Sequence, residues 1–419
     1  MTFLPLRSFG DKLDGRWLAL AMIAFYSLSV VAIHDFFGKP YYKVLRPLGV
    51  PAYESPFLDL RNLPAAIEIL HAGGDPRVSN PADPLQRRYN YPRLWLDCGY
   101  LGLNQHTVEI FGVGMGLLTL GCILLTLGRI DCVDGLMAGC FVISPAVVLG
   151  FERGNIDLSI FCLLTLALTL RRMVPVTTMV IVLATILKIF PAFSLLALVT
   201  PPWRKMFSWL IGAVALLFFY FITDLKELRF ISQNTPLLSG ISYGSITFLI
   251  WLFNLPPYFD AHLRFKLLLV GAMAMLALAI VAVRKGPRVA TSLVFAEREL
   301  FAFRMGAGIY LGTFALGSNV DYRTLFLIFC LPLLFRLRRE ADPIKTWAKA
   351  ALFFILGYVN WNFFSDESTD PHVALKQALA WGLVYSLISV LAVTFFRRYP
   401  QSASGADELA PLGTSSAKP

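Results

Sequence analysis

Apolar runs of roughly 18 residues or more recur along nearly the whole chain, and each is long enough for a helix to cross ~30 Å of hydrocarbon. Inside a bilayer every backbone donor and acceptor must be satisfied within the protein, so such runs admit helices and little else. The composition agrees. The chain is 57% hydrophobic and 15% charged, whereas a soluble protein keeps about a quarter of its residues charged. The expectation is an all-α polytopic membrane protein with about ten full spans, near 17–37, 108–128, 133–150, 156–170, 205–223, 263–283, 298–316, 323–337, 346–364 and 375–396. The first apolar core is too long for a signal peptide and lacks a small-residue cleavage site, so it is expected to remain as an anchor.

The formal net charge of +10 does not indicate nucleic acid, because the Lys and Arg residues sit in short groups at span ends. That placement sets orientation in a membrane. With the N-terminus (Arg7, Lys12, Arg16) in the cytoplasm, Arg129, Arg171-Arg172, Arg204-Lys205, Arg284-Lys285-Arg288, Arg336-Arg338-Arg339 and Arg397-Arg398 all fall inside, and so does the C-terminus. One segment breaks simple alternation. Only one apolar stretch, 173–202, separates two basic pairs that both favour the cytoplasm. Pro191 disfavours the helical conformation at Phe190 and marks a break at Lys188-Ile189-Phe190-Pro191. Two half-length helices folding back at that break keep both pairs inside, whereas one tilted span would put Arg171-Arg172 outside and invert everything downstream. Tyr243 to Pro257 is short, ends in Leu-Pro-Pro and is expected to dip into the membrane without crossing. Residues 1–399 thus form one transmembrane domain, and 400–419, rich in Ser, Ala, Gly and Pro, are expected to be a disordered cytoplasmic tail. The six cysteines form no CxxC pair and indicate neither zinc nor a disulfide framework.

This orientation leaves the cytoplasmic joins almost purely basic and collects mixed polar residues on the exoplasmic side. A long first loop, 38–107, carries Asp59, Arg61, Glu68, Asp75, Arg77, Asp83, Arg87, Arg88, Tyr89, Arg93 and Asp97. A second exoplasmic turn carries Glu152, Arg153, Asn155 and Asp157; a third carries Asn319, Asp321, Tyr322 and Arg323. Ionisable groups near hydrocarbon are costly and usually face a partner or a cavity. Each has a plainer reading too. Glu152-Arg153 suits an interfacial helix-end pair, Asp157 a favourable contact with a helix dipole, and Asp59 a helix cap. Lys188 lies near the middle of its apolar stretch, where its stem reaches an interface poorly, which favours anion binding over snorkelling. Within the loop, Leu63, Ile67 and Leu70 are spaced for one apolar helical face over Asp59–Leu70, and His71-Ala72-Gly73-Gly74-Asp75-Pro76 is a turn that stops it.

These residues resemble a known family. Asp59 before a short helix, LHAGGDP at 70–76 and YNYPRLWL at 89–96 resemble the first exoplasmic loop of glycosyltransferase family 87, polyprenyl-phosphate-sugar-dependent enzymes of the GT-C class. ERGNIDLSIFCLL at 152–164, ATILKIFPAFSLLAL at 184–198 with Trp203-Arg204-Lys205, and SNVDYRTLFL at 318–327 are similar to later family segments. Two positions depart from the pattern: Leu60 follows Asp59 where the family shows an aromatic, and Arg93 follows Tyr91-Pro92 where it shows a second proline.

The resemblance implies a GT-C-like bundle and transfer of a sugar, mannose favoured, from a polyprenyl-phosphate donor to an exoplasmic hydroxyl on a glycolipid or glycan. It implies an inverting course at the outer face of a bacterial inner membrane. Asp59 takes the base by family position; Lys188, Arg153 and Arg323 are candidates for the donor phosphate, and Tyr91, Arg93, Asn155, Asp321 and Tyr322 for substrate contacts. The scheme calls for no cofactor and no metal, a carboxylate-bound cation being the one metal alternative. The expected partners are the lipid-linked donor, the acceptor and membrane lipids, with no nucleic acid. Three other readings compete: a transporter or flippase of a lipid-linked sugar, since broken helices and midplane charges suit transporters as well; a surface-glycan polymerase or ligase; and a membrane scaffold, which leaves the first loop unexplained.

Overall fold

The apolar runs become helices in the computed structural model, which describes residues 14–199, 203–238, 240–257, 259–285, 295–340, 344–363 and 370–395. The expected tail at 400–419 and the basic residues before Asp14 lie outside the described residues. In chain order the α-helices are α1 (Gly15–Phe37), α2 (Tyr41–Leu45), the loop helix α3 (Leu58–His71), α4 (Val108–Leu127), α5 (Cys132–Val142), α6 (Pro145–Arg153), α7 (Asp157–Thr169) and α8 (Val174–Leu187). There follow α9 (Trp203–Thr223), α10 (Leu225–Gln233), α11 (Thr247–Leu252), α12 (Ala261–Lys285), α13 (Glu297–Ala315), α14 (Leu331–Leu337), α15 (Ile344–Val359) and α16 (Asp370–Phe395). A two-stranded antiparallel ladder, β1 (Ser242–Tyr243) with β2 (Asn319–Val320), pairs Ser242 with Val320 and Tyr243 with Asn319.

The protein is an all-α membrane protein apart from that ladder, but the helices do not reproduce ten uniform spans. Among the described residues, four are long and apolar enough to cross a membrane: Gly15–Phe37, Val108–Leu127, His262–Arg284 and His372–Phe395. Two bent pairs raise this to six, α5 with α6 at 54° and Phe207–Thr223 with α10 at 78°. Local structure explains the shortfall. The expected span at 156–170 is a helix of 13 residues, about 20 Å long. That at 323–337 begins as a 3₁₀-helix over Asp321–Cys330 and becomes α only at Leu331. The wider rise of the 3₁₀ part still brings the segment to about 30 Å. The expected span at 298–316 carries Arg298, Glu299 and Arg304 within α13.

Side-chain contacts sort the element ends into two groups. At one end Arg171 pairs with Glu297 at 3.8 Å, Arg336 with Glu299 at 2.8 Å, Arg338 with Asp134 at 2.8 Å and Arg339 with Asp131 at 2.7 Å. This end was expected to be almost purely basic. It is instead a set of ion pairs, because the acidic residues that open α5 and α13 meet the arginines that close α7 and α14. The other end gathers the loop helix, the start of α7 and the start of the 3₁₀ stretch at Asp321.

The segment at 173–202 breaks where Pro191 predicts. α8 ends at Leu187, Lys188 is extended (φ −162°, ψ 129°), and Phe190–Leu198 is a 3₁₀-helix. Both arms lead back to the same end. α8 starts beside the Arg171–Glu297 pair. The far arm closes at Val199, whose carbonyl accepts from Arg304 Nη1 at 2.5 Å, seven residues into α13. The chain therefore reverses at Lys188, as the half-helix hairpin requires. Gly308 and Gly312 of α13 admit this arm: a Cβ on Gly312 would sit 2.1 Å from the Phe193 ring. The one helix within residues 243–257 is the six-residue α11, about 9 Å long and too short to cross.

Small residues also seat α1, most of whose surface faces outward. Cβ atoms built on Gly15 and Gly135 would lie 1.9 Å from Asp131 O and 2.1 Å from Gly15 O, and one on Gly139 2.5 Å from Met22 Sδ. This is the small-residue packing by which helices approach closely in lipid.

Candidate functional site

The site grows from the start of the loop helix. Phe57 caps α3 in the left-handed conformation (φ 56°) with no side-chain cap, and its N–H donates to Glu152 O at 2.9 Å. Gly154 (φ +56°) lies against it: a Cβ there would be 3.1 Å from Phe57 and Leu60 Cβ atoms. The loop helix is thus seated on the turn between α6 and α7. Asp59 is therefore not the cap that its sequence position suggested. It sits in the first helical turn, buried, and its carboxylate accepts from Arg87 Nη1 at 2.8 Å on Oδ1 and from Asn155 Nδ2 at 2.7 Å on Oδ2.

Arg87 holds the loop together behind Asp59. Its guanidinium also donates to Asp83 through Nε at 3.0 Å and Nη2 at 2.9 Å, and to Leu58 O at 2.6 Å. Burial pushes the Asp83 carboxyl up, but the Arg87 hydrogen bond and charge outweigh it and hold it below the ordinary carboxylate value. Burial lowers Arg87 while its two carboxylates raise it, and the balance is upward.

Asn155 bridges to a second charged group. Its Oδ1 accepts from the Asp157 N–H at 3.0 Å and from Lys188 Nζ at 3.3 Å. Asp157, buried at the N-terminus of α7, binds Lys188 Nζ with Oδ1 and Arg323 Nε, at 3.3 Å, with Oδ2. Arg323 also donates to Asn319 Oδ1. Aromatic faces enclose the two cations. Lys188 Nζ lies 5.5 Å from the Tyr91 ring centroid, and the Arg323 guanidinium lies 4.9 Å from that of Phe190. Burial, with help from the Asp59 charge, holds the Tyr91 phenol well above its ordinary value.

Five of the expected site residues are thus brought together: Asp59, Asn155, Lys188, Arg323 and Tyr91. Tyr322 stays close, on the residue before Arg323 and packed against Gly150 at the foot of the same turn. Three are placed elsewhere. Arg153 donates to Pro51 O at 3.0 Å, pairs with Glu152 at 3.3 Å and stacks on Tyr53 at 4.5 Å. The Arg93 side chain is exposed, and only its backbone N–H is engaged, donating to Glu227 Oε1 at 3.0 Å. Asp321 is buried in a different cluster with Lys376 and Tyr358. Sequence reasoning listed Arg87 among the polar residues of the first loop without giving it a role, weighed Asp157 with a dipole contact as its plainer reading, and missed Lys376. The signal for Arg87 was faint, an Asp-x-x-x-Arg spacing in a loop with no helix to make it meaningful.

The arrangement has two electrostatic halves joined by Asn155. Lys188 and Arg323 share the single carboxylate of Asp157, leaving one positive charge in excess. Asp59 and Asp83 share the single guanidinium of Arg87, leaving one negative charge in excess. Near the α8 break a small cleft lies against the α9–α10 bend, lined by Pro92, Ile186, Ile189, Phe221 and Leu228 together with Tyr220 and the carboxylates of Asp224 and Glu227. Among the described residues no group of three or more His, Cys, Asp or Glu side chains is placed to hold a metal ion.

No family model, no curated protein and no solved structure matches this chain. What the fold and site define is a membrane protein with a paired, oppositely charged polar centre at one end of its helical bundle.

Proposed function

We propose that the protein is a GT-C-like integral membrane glycosyltransferase that moves a sugar, with mannose favoured, from a polyprenyl-phosphate donor to the hydroxyl of a glycolipid or glycan. The observation that carries this reading is the juxtaposition of the Asp59 carboxylate with the cation-excess Lys188–Asp157–Arg323 group across one asparagine. Displacement at a sugar carbon needs a base for the incoming hydroxyl on one face and cations for the leaving phosphate on the other. Asp59 serves as base; Lys188 and Arg323 meet the phosphate, and Arg153, held by Pro51, Glu152 and Tyr53, does not.

Asp59 accepts one hydrogen bond on each oxygen, from Arg87 and from Asn155, and each oxygen keeps a second lone pair that can take the proton of the incoming hydroxyl. The aromatic rings around the two cations help keep water from the activated sugar. The accompanying membrane reading is a bundle of about ten crossings, several of them short or 3₁₀, with both termini cytoplasmic and the site on the outer face of a bacterial inner membrane. Seating of the first loop on the α6–α7 turn favours this over a scaffold.

Labelled polyprenyl-phosphate mannose supplied to membranes tests the reading. Transfer to a new product by wild type and not by Asp59→Asn is the expected result. Label that crosses the membrane without a new glycosidic bond would establish the transporter instead, and equal transfer by both proteins would remove Asp59 as base.

A further inference from the structure

Lys376 is a buried cation outside the Asp59–Arg323 centre, with its side chain 2% exposed. Its ammonium has three hydrogens and meets three acceptors: Asp321 Oδ2 at 2.5 Å, Gly240 O at 2.7 Å and Asn362 Oδ1 at 3.1 Å. Asp321, 1% exposed, accepts from Tyr358 Oη at 2.5 Å on its other oxygen, and its own N–H donates to Ile241 O at 3.0 Å. The Asp321–Lys376 pair therefore ties together α15, the Trp361–Phe363 turn, α16 and the segment entering β1.

The residues flanking Asp321 aim at the candidate site. Asn319, two residues before it in β2, accepts from Arg323 and is itself fixed by donating to Thr313 O at 2.5 Å. Asp321 opens the 3₁₀-helix that carries Arg323 two residues later. β1 holds β2 from the other side, and the Gly244–Gly317 contact that closes the ladder leaves no room for a Cβ. Arg323 has a long, rotamer-rich side chain, so a fixed backbone and a fixed Asn319, beside its contacts to Asp157 and Phe190, narrow the direction it can take.

We infer that Asp321 and Lys376 are a positioning pair for Arg323: a buried, self-neutral clamp that sets the direction in which Arg323 presents its guanidinium to an anionic group, without touching that group. The inference rests on the donor-phosphate reading above. It moves Asp321 from substrate contact to support and brings Lys376, on the last helix, into the site's construction.

Removing one partner strands a buried charge and destabilises the protein, whereas removing both restores neutrality. The test therefore compares Asp321→Asn, Lys376→Met and the double variant of the full-length protein. It reads thermal midpoint, affinity for polyprenyl monophosphate, and kcat and KM with polyprenyl-phosphate mannose. Both single variants should melt well below wild type and the double variant should recover most of that loss. The double variant should still bind polyprenyl monophosphate about tenfold more weakly, a shift of ~1.4 kcal/mol, with KM raised in proportion and kcat nearly unchanged. Added to Arg323→Ala, it should cost no further affinity. A double variant with wild-type affinity and KM, or a loss fully additive with that of Arg323→Ala, would overturn the pair's role and leave the proposed reaction standing. Failure of wild type to bind polyprenyl monophosphate overturns the donor reading, and this inference with it.

Discussion

Lys188 and Arg323 hold the two oxygens of one carboxylate, that of Asp157, although the two cations are 135 residues apart in sequence. Lys188 arrives from the reversal of the chain after α8, Arg323 from a 3₁₀-helix, and Asp157 from the N-terminus of α7. The carboxylate lowers their mutual repulsion without cancelling their joint charge. The remaining charge faces the excess carboxylate of the Asp59–Asp83–Arg87 half across Asn155, and in the proposed reaction the donor phosphate is the anion that Lys188 and Arg323 meet.

The first prediction concerns that balance. Asp157→Asn leaves two buried cations facing each other and should cost about 3–5 kcal/mol, the usual range for breaking a buried ion pair. Lys188→Ala should cost less in stability and weaken donor affinity more than acceptor affinity. Thermal midpoints with and without polyprenyl monophosphate measure both. A destabilised Asp157→Asn protein that regains much of its midpoint with the lipid would show the added anion replacing the lost carboxylate.

Acid should loosen the first loop in a defined window. Asp83 is held below its ordinary value by Arg87, against the upward push of burial. A carboxyl with a depressed folded value contributes stability that is present above its unfolded value, ~3.9, and is lost as pH falls through the folded value. Protection against hydrogen exchange over residues 75–97, taken relative to each amide's intrinsic rate, should therefore be flat from pH 7 down to about pH 4 and fall below it. Asp83→Asn should lower protection above about pH 4 and remove this acid step. A wild-type loop that opens between pH 7 and 5 would contradict the assignment.

Gly135→Leu tests the seating of α1. A Cβ at this position would meet Gly15 O at 2.1 Å, so the helices must separate, and in lipid no hydrophobic gain offsets the lost packing. The thermal midpoint should fall by several degrees and α1 should become accessible to protease, whereas Gly114→Leu on α4, where nothing lies within 4 Å, should be tolerated.

Arg304, 1% exposed, donates to Val199 O and Thr394 O, both at 2.5 Å, and so joins the end of the α8 hairpin to the end of α16. Arg304→Met keeps much of the volume but strands the buried Thr394 carbonyl and the half-buried Val199 carbonyl, the buried one at about 1–3 kcal/mol. Reduced thermal stability with a wild-type KM is expected, since this end carries the scaffold and not the proposed chemistry. A raised KM would connect the hairpin's far arm to donor binding.

The membrane class, the loop helix over 58–71 and the break at Lys188–Pro191 were legible in the sequence because each depends on local physics: apolar run length, 3.6-residue spacing, and proline's geometry. So was most of the candidate set, since polar residues in an apolar chain stand out wherever they fall. The ten-span count was not equally legible. Hydropathy does not distinguish an α-helix from a 3₁₀ stretch such as Asp321–Cys330, nor does it show that α9 bends by 78° into α10.

By itself the sequence determined that this chain lives in lipid, where it must turn back, and which side chains are too polar to face hydrocarbon. The tertiary structure alone decided how those side chains divide. It gave Asp59 to Arg87 and Asn155, gave Asp157 to Lys188 and Arg323, and withdrew Asp321 to Lys376. The reason is physical. A charge declares its cost of burial locally, through its own chemistry, but the partner that offsets the cost is chosen by which helix ends meet, and residues as far apart as Asp59 and Asn155 meet only once the bundle has closed.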